Sequence, residues 1–285
     1  MSSADQPQRI GSYRLVKLVY TGQSSQLWKA RDERDGKDVA IKRLLPNRVD
    51  REHIALLNND RRVSESLRGS PSFLQIYDAG RHGGIPYLVL EWFPAPSVGQ
   101  LIKLGYETYS CVLPQLIPAL FEPLIPLHAA GWVHCDIKPD NFLFSPKLGV
   151  KLIDFAIAEK KQGNFLARFL PKPKTIRGTA TYISPEQIDH RGIDGRTDLY
   201  SLGATILELL TAAAPFSGNT LGELLNKHRT GTVPSAAMKN RNVTPRFDEF
   251  LKSLLSPDPA KRPATAQEAF SMAKRIPIFL KKPGT

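Results

Sequence analysis

Cysteine is scarce in this sequence, where only Cys111 and Cys135 occur among 285 residues. Two isolated thiols exclude a disulfide framework and the paired cysteine spacing of a structural zinc site. Because unpaired thiols are typical of a reducing compartment, we expect a cytoplasmic protein.

Long apolar runs are missing as well. Residues 1–8 are polar and lack the apolar core of a secretion signal. The most apolar window, residues 199–210, is too short to cross a bilayer and contains Glu208. We therefore expect no transmembrane segment.

Acidic residues are in deficit, with 27 Asp and Glu against 39 Lys and Arg and a formal net charge of +12. Such a surplus favours phosphates, anionic membrane surfaces or an acidic partner. The basic residues are spread along the chain and do not alternate with stacking aromatic residues, so no nucleic-acid partner is expected. A solvated face or an acidic partner is favoured, and a membrane-surface or nucleic-acid-binding protein is the weaker alternative.

The densest group of reactive side chains lies in residues 134–141, which read HCDIKPDN. Asp136, Lys138 and Asn141 stand there at short intervals, and an apolar strand pattern follows. A second apolar run, residues 150–153, ends at Asp154. If the two runs are adjacent strands, the oxygens of Asp136, Asn141 and Asp154 meet at one wall and can hold a divalent cation.

These motifs resemble those of Hanks-type serine/threonine protein kinases, whose catalytic loop reads H-x-D-x-K-P-x-N and whose metal-binding aspartate opens D-F-G. The resemblance covers about residues 13–273 and implies an α+β, bilobal fold. Its N-lobe is a small antiparallel sheet with one main helix, and its larger C-lobe is mainly helical. The expected boundaries are a disordered N-terminus at 1–11, an N-lobe at 12–92, a C-lobe at 93–279 and a tail at 280–285.

Local patterns divide this span into elements. Strands are predicted at residues 13–19, 26–30, 39–42, 73–78, 87–90, 142–144 and 150–153. Helices are predicted at residues 51–67, 97–104, 198–211, 221–228, 245–255 and 265–274. A further helical stretch at 112–130 contains four prolines, so we expect it to be kinked or interrupted.

The resemblance implies a role for each residue of the catalytic loop. Asp136 accepts the proton of a Ser or Thr hydroxyl on a protein substrate, and Lys138 stabilises the γ-phosphate of ATP. Asn141 and Asp154 bind Mg²⁺, with Mn²⁺ as the other possible ion. A lysine two residues after the aspartate is typical of the serine/threonine branch rather than the tyrosine branch.

Lys42 ends the short buried-strand pattern at residues 39–42 and, by the resemblance, binds the α- and β-phosphates of ATP. In the predicted helix at 51–67, Asp60 shares one face with Leu56. The family has a glutamate here that pairs with the strand lysine, so Asp60 is the expected partner of Lys42 and Glu52 is the fallback. Since aspartate is one methylene shorter, the pair is expected to be long or to draw the helix closer.

The remaining nucleotide contacts rest on position within the family pattern. Residues 21–25 form the turn that covers the ATP phosphates in the family, where three glycines are usual, and here Gly22 alone remains. The adenine site is expected to involve Leu27, Ala40, Leu90 and Leu143, together with backbone groups of Glu91 and Phe93.

Residues 178–186 read GTATYISPE and resemble the segment that binds the protein substrate, called the docking segment below. In the family, Thr179 reaches the catalytic aspartate, and Glu186 pairs with an arginine near the C-terminus, here Arg262. Asp198 corresponds to the aspartate that supports the backbone of the catalytic loop. His134 and Phe155 are structural positions of the two motifs.

Four departures from the family pattern put efficiency in doubt. Ala156 replaces the flexible glycine after Asp154 and Phe155, the phosphate turn keeps one glycine, and the helix acid is an aspartate. Cys135 replaces the arginine that would bind a phosphate on the activation loop. Loop phosphorylation, for example at Thr175, is therefore expected to matter less for switching.

Two alternatives share these residues. A pseudokinase that binds nucleotide or acts as a scaffold would keep the fold with little turnover. A small-molecule phosphotransferase would use Asp136, Asn141 and Asp154 in the same way, but the docking segment favours a protein substrate.

Overall fold

The computed structural model describes residues 9–161 and 178–283 and divides into two compact units at the Pro94–Ala95 bond. The first unit is an antiparallel sheet with one long helix, and the second is mainly helical with short strands. The predicted α+β class, with a small sheet unit and a larger helical unit, is confirmed.

The sheet of the first unit has six strands in the order β1-β2-β3-β4-β6-β5. Its strands are β1 (Arg9–Ile10), β2 (Tyr13–Thr21), β3 (Ser25–Asp32), β4 (Asp38–Leu44), β5 (Ile76–His82) and β6 (Ile85–Glu91). Neighbouring strands all run antiparallel. Since Ile10 is fully buried in β1, the loose N-terminus expected for residues 1–11 does not extend to this strand.

The central strand β4 is covered on both faces, as its continuous apolar pattern predicts. Val39 and Ile41 enter one apolar cluster, while Ala40 and Leu44 enter another on the opposite face. Since side chains alternate along a strand, Lys42 shares the face of Ala40 and Leu44.

The strand predicted at residues 73–78 is wrong in its first half, because β5 begins at Ile76. Phe73 is fully buried, but its backbone N–H donates to the Ser70 carbonyl in a turn. An apolar side chain can fill a core from a turn as well as from a strand, so the run of apolar residues did not mark the boundary.

The helix of the first unit, α1, spans Arg51–Ser66 and begins at Asp50, whose side chain accepts from the His53 N–H. Its buried face contains Leu57, Asp60 and Val63. The prediction placed Leu56 on this face, whereas Leu57 is buried and Leu56 is half-buried. Adjacent positions lie about 100° apart around a helix, and the packing of α1 on the sheet decides between them.

The second unit begins with short helices. They are α2 (Val98–Lys103), α3 (Tyr106–Tyr109), α4 (Leu113–Ala119) and α5 (Leu124–Ala129), with a 3₁₀ turn at Ser110–Val112. The predicted interruption of the proline-rich stretch is confirmed, because α4 ends at Ala119 and α5 follows Pro123.

Within the described ranges, one stretch, Tyr106–Ala129, is long and apolar enough to meet the length and composition criteria for a membrane span. It is not the window at residues 199–210 that the sequence singled out. Half of its most apolar part is buried inside the fold, and core helices of proteins that do not cross membranes meet the same criteria.

Four short strands follow α5. They are β7 (Trp132–Val133), β8 (Phe142–Ser145), β9 (Gly149–Leu152) and β10 (Glu159–Lys160). The predicted pairing of the two apolar runs is confirmed, because β8 and β9 form a hairpin with Phe142 opposite Leu152. The Ile153 N–H also donates to the Asn141 carbonyl, so Asn141 and Asp154 leave the hairpin at the same end.

The remaining helices are α6 (Pro185–Ile188), α7 (Gly195–Thr211), α8 (Leu221–Thr230), α9 (Ala236–Lys239), α10 (Pro245–Leu254) and α11 (Ala266–Arg275). Helix α7 forms the core and begins three residues before the predicted start at Asp198, because Asp194 caps it by accepting from the Arg196 N–H. Thr265 caps α11 as predicted, but Glu268 accepts from the Ala264 N–H and does not close a full capping box. In the expected tail, the N–H groups of Leu280 and Lys281 bond to Asn242.

Candidate active site

The backbone of the catalytic loop bends sharply at Cys135, which has a left-handed φ of 67°. The fully buried carboxylate of Asp198 in α7 accepts from the N–H of His134 at 2.8 Å and from the N–H of Cys135 at 3.0 Å. It also contacts Nε2 of His128 at 2.8 Å. A non-glycine residue in this region is strained, and the ionic hydrogen bonds to two adjacent N–H groups hold the turn in place.

His134 joins the catalytic loop to the strand that leads to Asp154. Its Nδ1 accepts from the Asp136 N–H at 3.2 Å, while its Nε2 lies 3.1 Å from the Ile153 carbonyl oxygen. These partners place the ring proton on Nε2. The imidazole packs edge-on against the buried ring of Phe155 at 5.3 Å, so one fully buried side chain sets the positions of both loops.

The carboxylate of Asp136 is held on both oxygens. Oδ1 accepts from the N–H and from the hydroxyl of Thr179, at 2.9 and 2.8 Å. Oδ2 lies 2.6 Å from Nζ of Lys138, which in turn lies 3.0 Å from the Thr179 hydroxyl. Asp136, Lys138 and Thr179 therefore form one hydrogen-bonded group.

Asn141 completes this group and faces the hairpin. Its Nδ2 donates to the Asp136 backbone carbonyl at 2.8 Å and lies 3.3 Å from the Asp136 carboxylate. With the amide nitrogen turned to these oxygens, Oδ1 points the other way. Ile153 bonds to the Asn141 backbone, and the next residue, Asp154, has a left-handed φ of 68°.

The oxygens of Asn141 and Asp154 fit a divalent cation such as Mg²⁺ or Mn²⁺. A carboxamide and a carboxylate are hard donors, and Mg²⁺ usually takes one or two carboxylates and completes its shell with water and phosphate oxygens. In the described part of the chain, no three His, Cys, Asp or Glu side chains cluster to hold a metal by themselves.

In the first unit, Lys42 Nζ lies 2.6 Å from Oδ2 of Asp60, and both side chains are largely buried. The shorter aspartate therefore does not lengthen the pair. Glu52, the fallback acid, is exposed in the first turn of α1.

The turn between β2 and β3 is tight. The Gly22 N–H donates to the Ser25 carbonyl at 2.9 Å, and the added side chain of any other residue at Gly22 would contact the Tyr20 ring at 3.1 Å. This N–H group is therefore bonded within the turn and does not point outward to a ligand.

The residues assigned to the adenine site lie in both units. Ala40 and Leu90 are paired across β4 and β6 and share one apolar cluster, with Leu27 packed against it. The Glu91 N–H donates to the Gln75 carbonyl, and Phe93 is buried. Leu143, in β8 of the second unit, is half-buried and forms a bridge with Ser97.

The docking segment is anchored at both ends. Gly178 has a φ of 110°, and a side chain there would meet the Cys135 carbonyl at 3.0 Å, so glycine is required. At the other end, the Gln187 side chain donates to the same carbonyl at 2.8 Å. Gln187 also closes a capping box with Ser184, which the S-x-x-Q spacing could have revealed.

Glu186 and Arg262 form a two-point ion pair at 2.7 and 3.0 Å, and the Arg262 side chain is fully buried. Thr197 donates a further hydrogen bond to Glu186, and the guanidinium lies 4.8 Å from the Tyr200 ring centroid. Residues far apart in sequence are thereby joined beneath the docking segment.

Cys135 offers no cation at the position where the family pattern has arginine. Burial and then the nearby carboxylate of Asp198 raise the pKa of its thiol, so the group stays neutral. Ala156, the other departure, follows Phe155 in the loop after β9. Thr175, the proposed phosphorylation position, lies outside the described residues.

Two contacts and one buried side chain in the second unit were not predicted. They are the contact of His128 with Asp198, the 2.6 Å hydrogen bond from the Tyr182 hydroxyl to Glu208, and the buried position of His228 in α8. Glu208, which the sequence marked only as a charge in an apolar helix, has its pKa raised by burial. No local pattern signals such contacts.

Comparison with known proteins assigns the chain to a family. The family model described as the protein kinase domain matches residues 13–273. The chain belongs to the protein kinase family. The family predicted from the motifs is thereby confirmed, and its members use ATP and a divalent metal.

The kinase is similar to several curated bacterial proteins. It is 31% identical over 257 residues to the serine/threonine-protein kinase PknL of Mycobacterium tuberculosis, covering 89% of this chain and 63% of PknL. A probable serine/threonine-protein kinase of Streptomyces coelicolor is 29% identical over 270 residues, which is 93% of this chain and 40% of that protein. The serine/threonine-protein kinase PknB of Mycolicibacterium smegmatis is 29% identical over 270 residues, 92% of this chain and 42% of PknB.

The kinase thus spans between 40% and 63% of the length of these three relatives. All three carry the serine/threonine designation, in agreement with the branch predicted from the lysine after Asp136.

Proposed function

We propose that this chain transfers the γ-phosphate of ATP to Ser or Thr hydroxyls of a protein substrate. The observation that carries the proposal is the hydrogen-bonded group around Asp136, where Thr179, Lys138 and Asn141 hold one carboxylate by both oxygens. Phosphoryl transfer needs little covalent help from the protein, so catalysis depends on positioning and on charge neutralisation.

In this proposal Asp136 is the general base. A Ser or Thr hydroxyl binds beside its carboxylate and passes its proton to it as the bond to the γ-phosphorus forms and the bond from that phosphorus to ADP breaks. Lys138, whose Nζ lies 2.6 Å from Asp136, stabilises the charge on the transferred phosphoryl group. The turn held by Asp198 keeps Asp136 in place, so that little reorganisation is needed when the hydroxyl arrives.

Nucleotide binding is assigned to residues of both units. Lys42, held by Asp60, binds the α- and β-phosphates, and its pairing at 2.6 Å supports this role. The adenine contacts are Leu27, Ala40, Leu90 and Leu143 with backbone groups of Glu91 and Phe93, and Gly22 belongs to the turn over the phosphates. These assignments rest on the family pattern.

The metal ligands are Asn141 and Asp154, and Mg²⁺ is the ion we favour over Mn²⁺. When bound, the ion neutralises the phosphate oxygens and holds them in line for transfer. The Asp136 contacts turn Oδ1 of Asn141 toward this role, and the left-handed backbone of Asp154 directs the chain after β9. Ala156 narrows the backbone freedom that a glycine would allow after Phe155.

The compartment we propose is the cytoplasm. Cys111 is exposed and Cys135 is buried, and neither forms a disulfide. An exposed free thiol is compatible with a reducing environment.

The test is transfer of labelled phosphate from ATP with Mg²⁺ to a generic basic protein, comparing the unaltered chain with Asp136→Asn. The amide cannot accept the hydroxyl proton, so kcat should fall by about 100- to 10,000-fold. Asp35→Asn, which makes the same change at an exposed turn acid, should keep the unaltered rate.

Equal rates for the unaltered chain and Asp136→Asn would remove Asp136 as the base. If neither protein transfers phosphate although ATP binds, the nucleotide-binding pseudokinase is the correct assignment. The bonding of the Gly22 N–H inside its own turn is the observation that favours this second function.

A further inference from the structure

Helix α8 carries a buried histidine for which the proposed reaction has no role. His228 is 0% exposed, and its Nε2 has no hydrogen-bond partner of good geometry among the described groups. Its Nδ1 lies 2.9 Å from the Tyr200 hydroxyl, closer than the 3.5 Å from that hydroxyl to the His228 carbonyl. We assign the hydroxyl proton to the nearer Nδ1, and this assignment leaves the ring proton on Nε2.

A buried N–H group without an acceptor is rare in a native protein and calls for a physical reason. Tyr200 is also buried, so it fixes the orientation of the ring. The ring of Phe216 packs edge-on against the imidazole at 4.9 Å. The imidazole is thus held firmly while one of its two polar atoms is left unsatisfied.

The unsatisfied atom lies next to the docking segment. Leu225, one turn before His228, shares an apolar cluster with Ile183 and Ile188, and Ala180 packs against this cluster. Burial lowers the pKa of His228 to about 4, while backbone acceptors of Ala180 and Thr181 act in the opposite direction. The docking segment therefore lies beside helix α8, with the backbone of Ala180 and Thr181 close to the ring.

The same segment reaches the reacting carboxylate. Thr179, directly before Ala180, donates two hydrogen bonds to Oδ1 of Asp136. A shift of the backbone at Ala180 and Thr181 toward His228 would therefore change the position of Thr179. The Tyr200 ring also contacts Arg262, which holds Glu186 at the far end of the segment.

We propose that His228 is a positioning residue for the protein substrate. Its Nε2–H donates to the carbonyl of Ala180 or Thr181 when the docking segment takes up the substrate, and this bond holds the segment so that the substrate hydroxyl reaches Asp136. The inference rests on the proposed function and adds a substrate-selective residue outside the family motifs. It predicts an effect on the protein substrate and none on ATP.

Two amide substitutions at position 228 test the roles of the two ring nitrogens separately. Gln at position 228 places its amide nitrogen near the position of Nε2, whereas Asn places its amide near Nδ1. With a generic basic protein as substrate, His228→Asn should raise the KM for that protein roughly tenfold and leave the KM for ATP unchanged. His228→Gln should restore the protein KM to nearly the unaltered value.

A third variant covers the case in which His228→Asn does not fold. Tyr200→Phe removes only the hydroxyl that sets the ring proton, and it should raise the KM for the protein substrate in the same direction but less. Thermal unfolding of each variant identifies loss of fold.

The inference is overturned if Gln and Asn behave alike, if both KM values change together, or if Tyr200→Phe leaves the protein KM unchanged. Absence of transfer by the unaltered chain instead removes the proposed function itself, and this inference with it. The two failures are thus distinguished by the unaltered protein.

Discussion

The carboxylate of Asp136 receives hydrogen bonds from Thr179, Lys138 and Asn141, and each donor is held by a different part of the fold. Thr179 lies in the docking segment, Lys138 in the catalytic loop and Asn141 at the start of the hairpin. A carboxylate fixed in this way has little rotational freedom to lose when substrate binds. The orientation of the Asp136 carboxylate is therefore set by the residues that donate hydrogen bonds to it.

His228 should also make stability depend on pH. Burial lowers its pKa from 6.5 to about 4, so the unfolded chain binds the proton more readily than the folded chain. The contribution to stability is complete above pH 6.5 and is lost as the pH falls from 6.5 toward 4. Between pH 7 and pH 5 the loss should be about 2 kcal/mol.

Urea unfolding of the unaltered chain and of His228→Gln at the two pH values measures this loss. Glutamine does not titrate, so subtracting the two proteins cancels the other acidic and basic groups. The unaltered chain should lose more stability than the variant on acidification. Identical changes in the two proteins would mean that the imidazole is solvated or already protonated in the folded state.

Helix α7 organises the second unit. Its first turn presents Asp198 to the catalytic loop, and its second turn presents Tyr200 to Arg262 and His228. The arginine in turn holds Glu186 at the start of α6. One helix thus connects the catalytic loop, the docking segment and the C-terminal region.

Removing the charge of Glu186 should destabilise the fold strongly. Glu186→Gln leaves a fully buried guanidinium without its counter-ion, and loss of one partner of a buried pair costs about 3–5 kcal/mol. Adding Arg262→Met removes the stranded charge, so the double variant should be more stable than Glu186→Gln alone. Chemical denaturation measures the free energy of unfolding of the unaltered chain, of Glu186→Gln and of the double variant.

The exposed pair of Arg61 and Glu65 is the matched control, and Glu65→Gln should cost at most about 0.5 kcal/mol. A small effect of Glu186→Gln, equal to that of the surface control, would show that water reaches the guanidinium.

The whole molecule consists of two units, and the proposed nucleotide ligands are divided between them. Lys42 and Asp60 belong to the first unit, while Asn141 and Asp154 belong to the second. The proposed function can therefore be tested by one substitution in each unit.

ATP with Mg²⁺ should stabilise the unaltered chain against heat, by about 2.7 kcal/mol at a ligand concentration 100 times the Kd. Lys42→Met in the first unit and Asp154→Asn in the second should each remove most of this stabilisation. Lys37→Met, a change of the same kind at an exposed lysine, should keep it. Survival of the full shift in both site variants would place nucleotide binding elsewhere.

Short-range chemistry was decided by the sequence alone. The main predicted strands and helices, the interruption by prolines and the cap at Thr265 depend on residues a few positions apart. The spacing of Asp136, Lys138 and Asn141 likewise sets their distances within one loop. Such features are readable because a few backbone angles determine them.

Longer-range features of the site came from the sequence only through the family resemblance, as for Glu186 with Arg262 and Lys42 with Asp60. The tertiary structure decided that Leu57 is buried and not Leu56, that His128 bonds to Asp198, and that His228 lies behind the docking segment. These outcomes depend on which helix face packs on its neighbour and on which chain segments meet. Local residue patterns do not contain that information, because packing is decided by the whole fold at once.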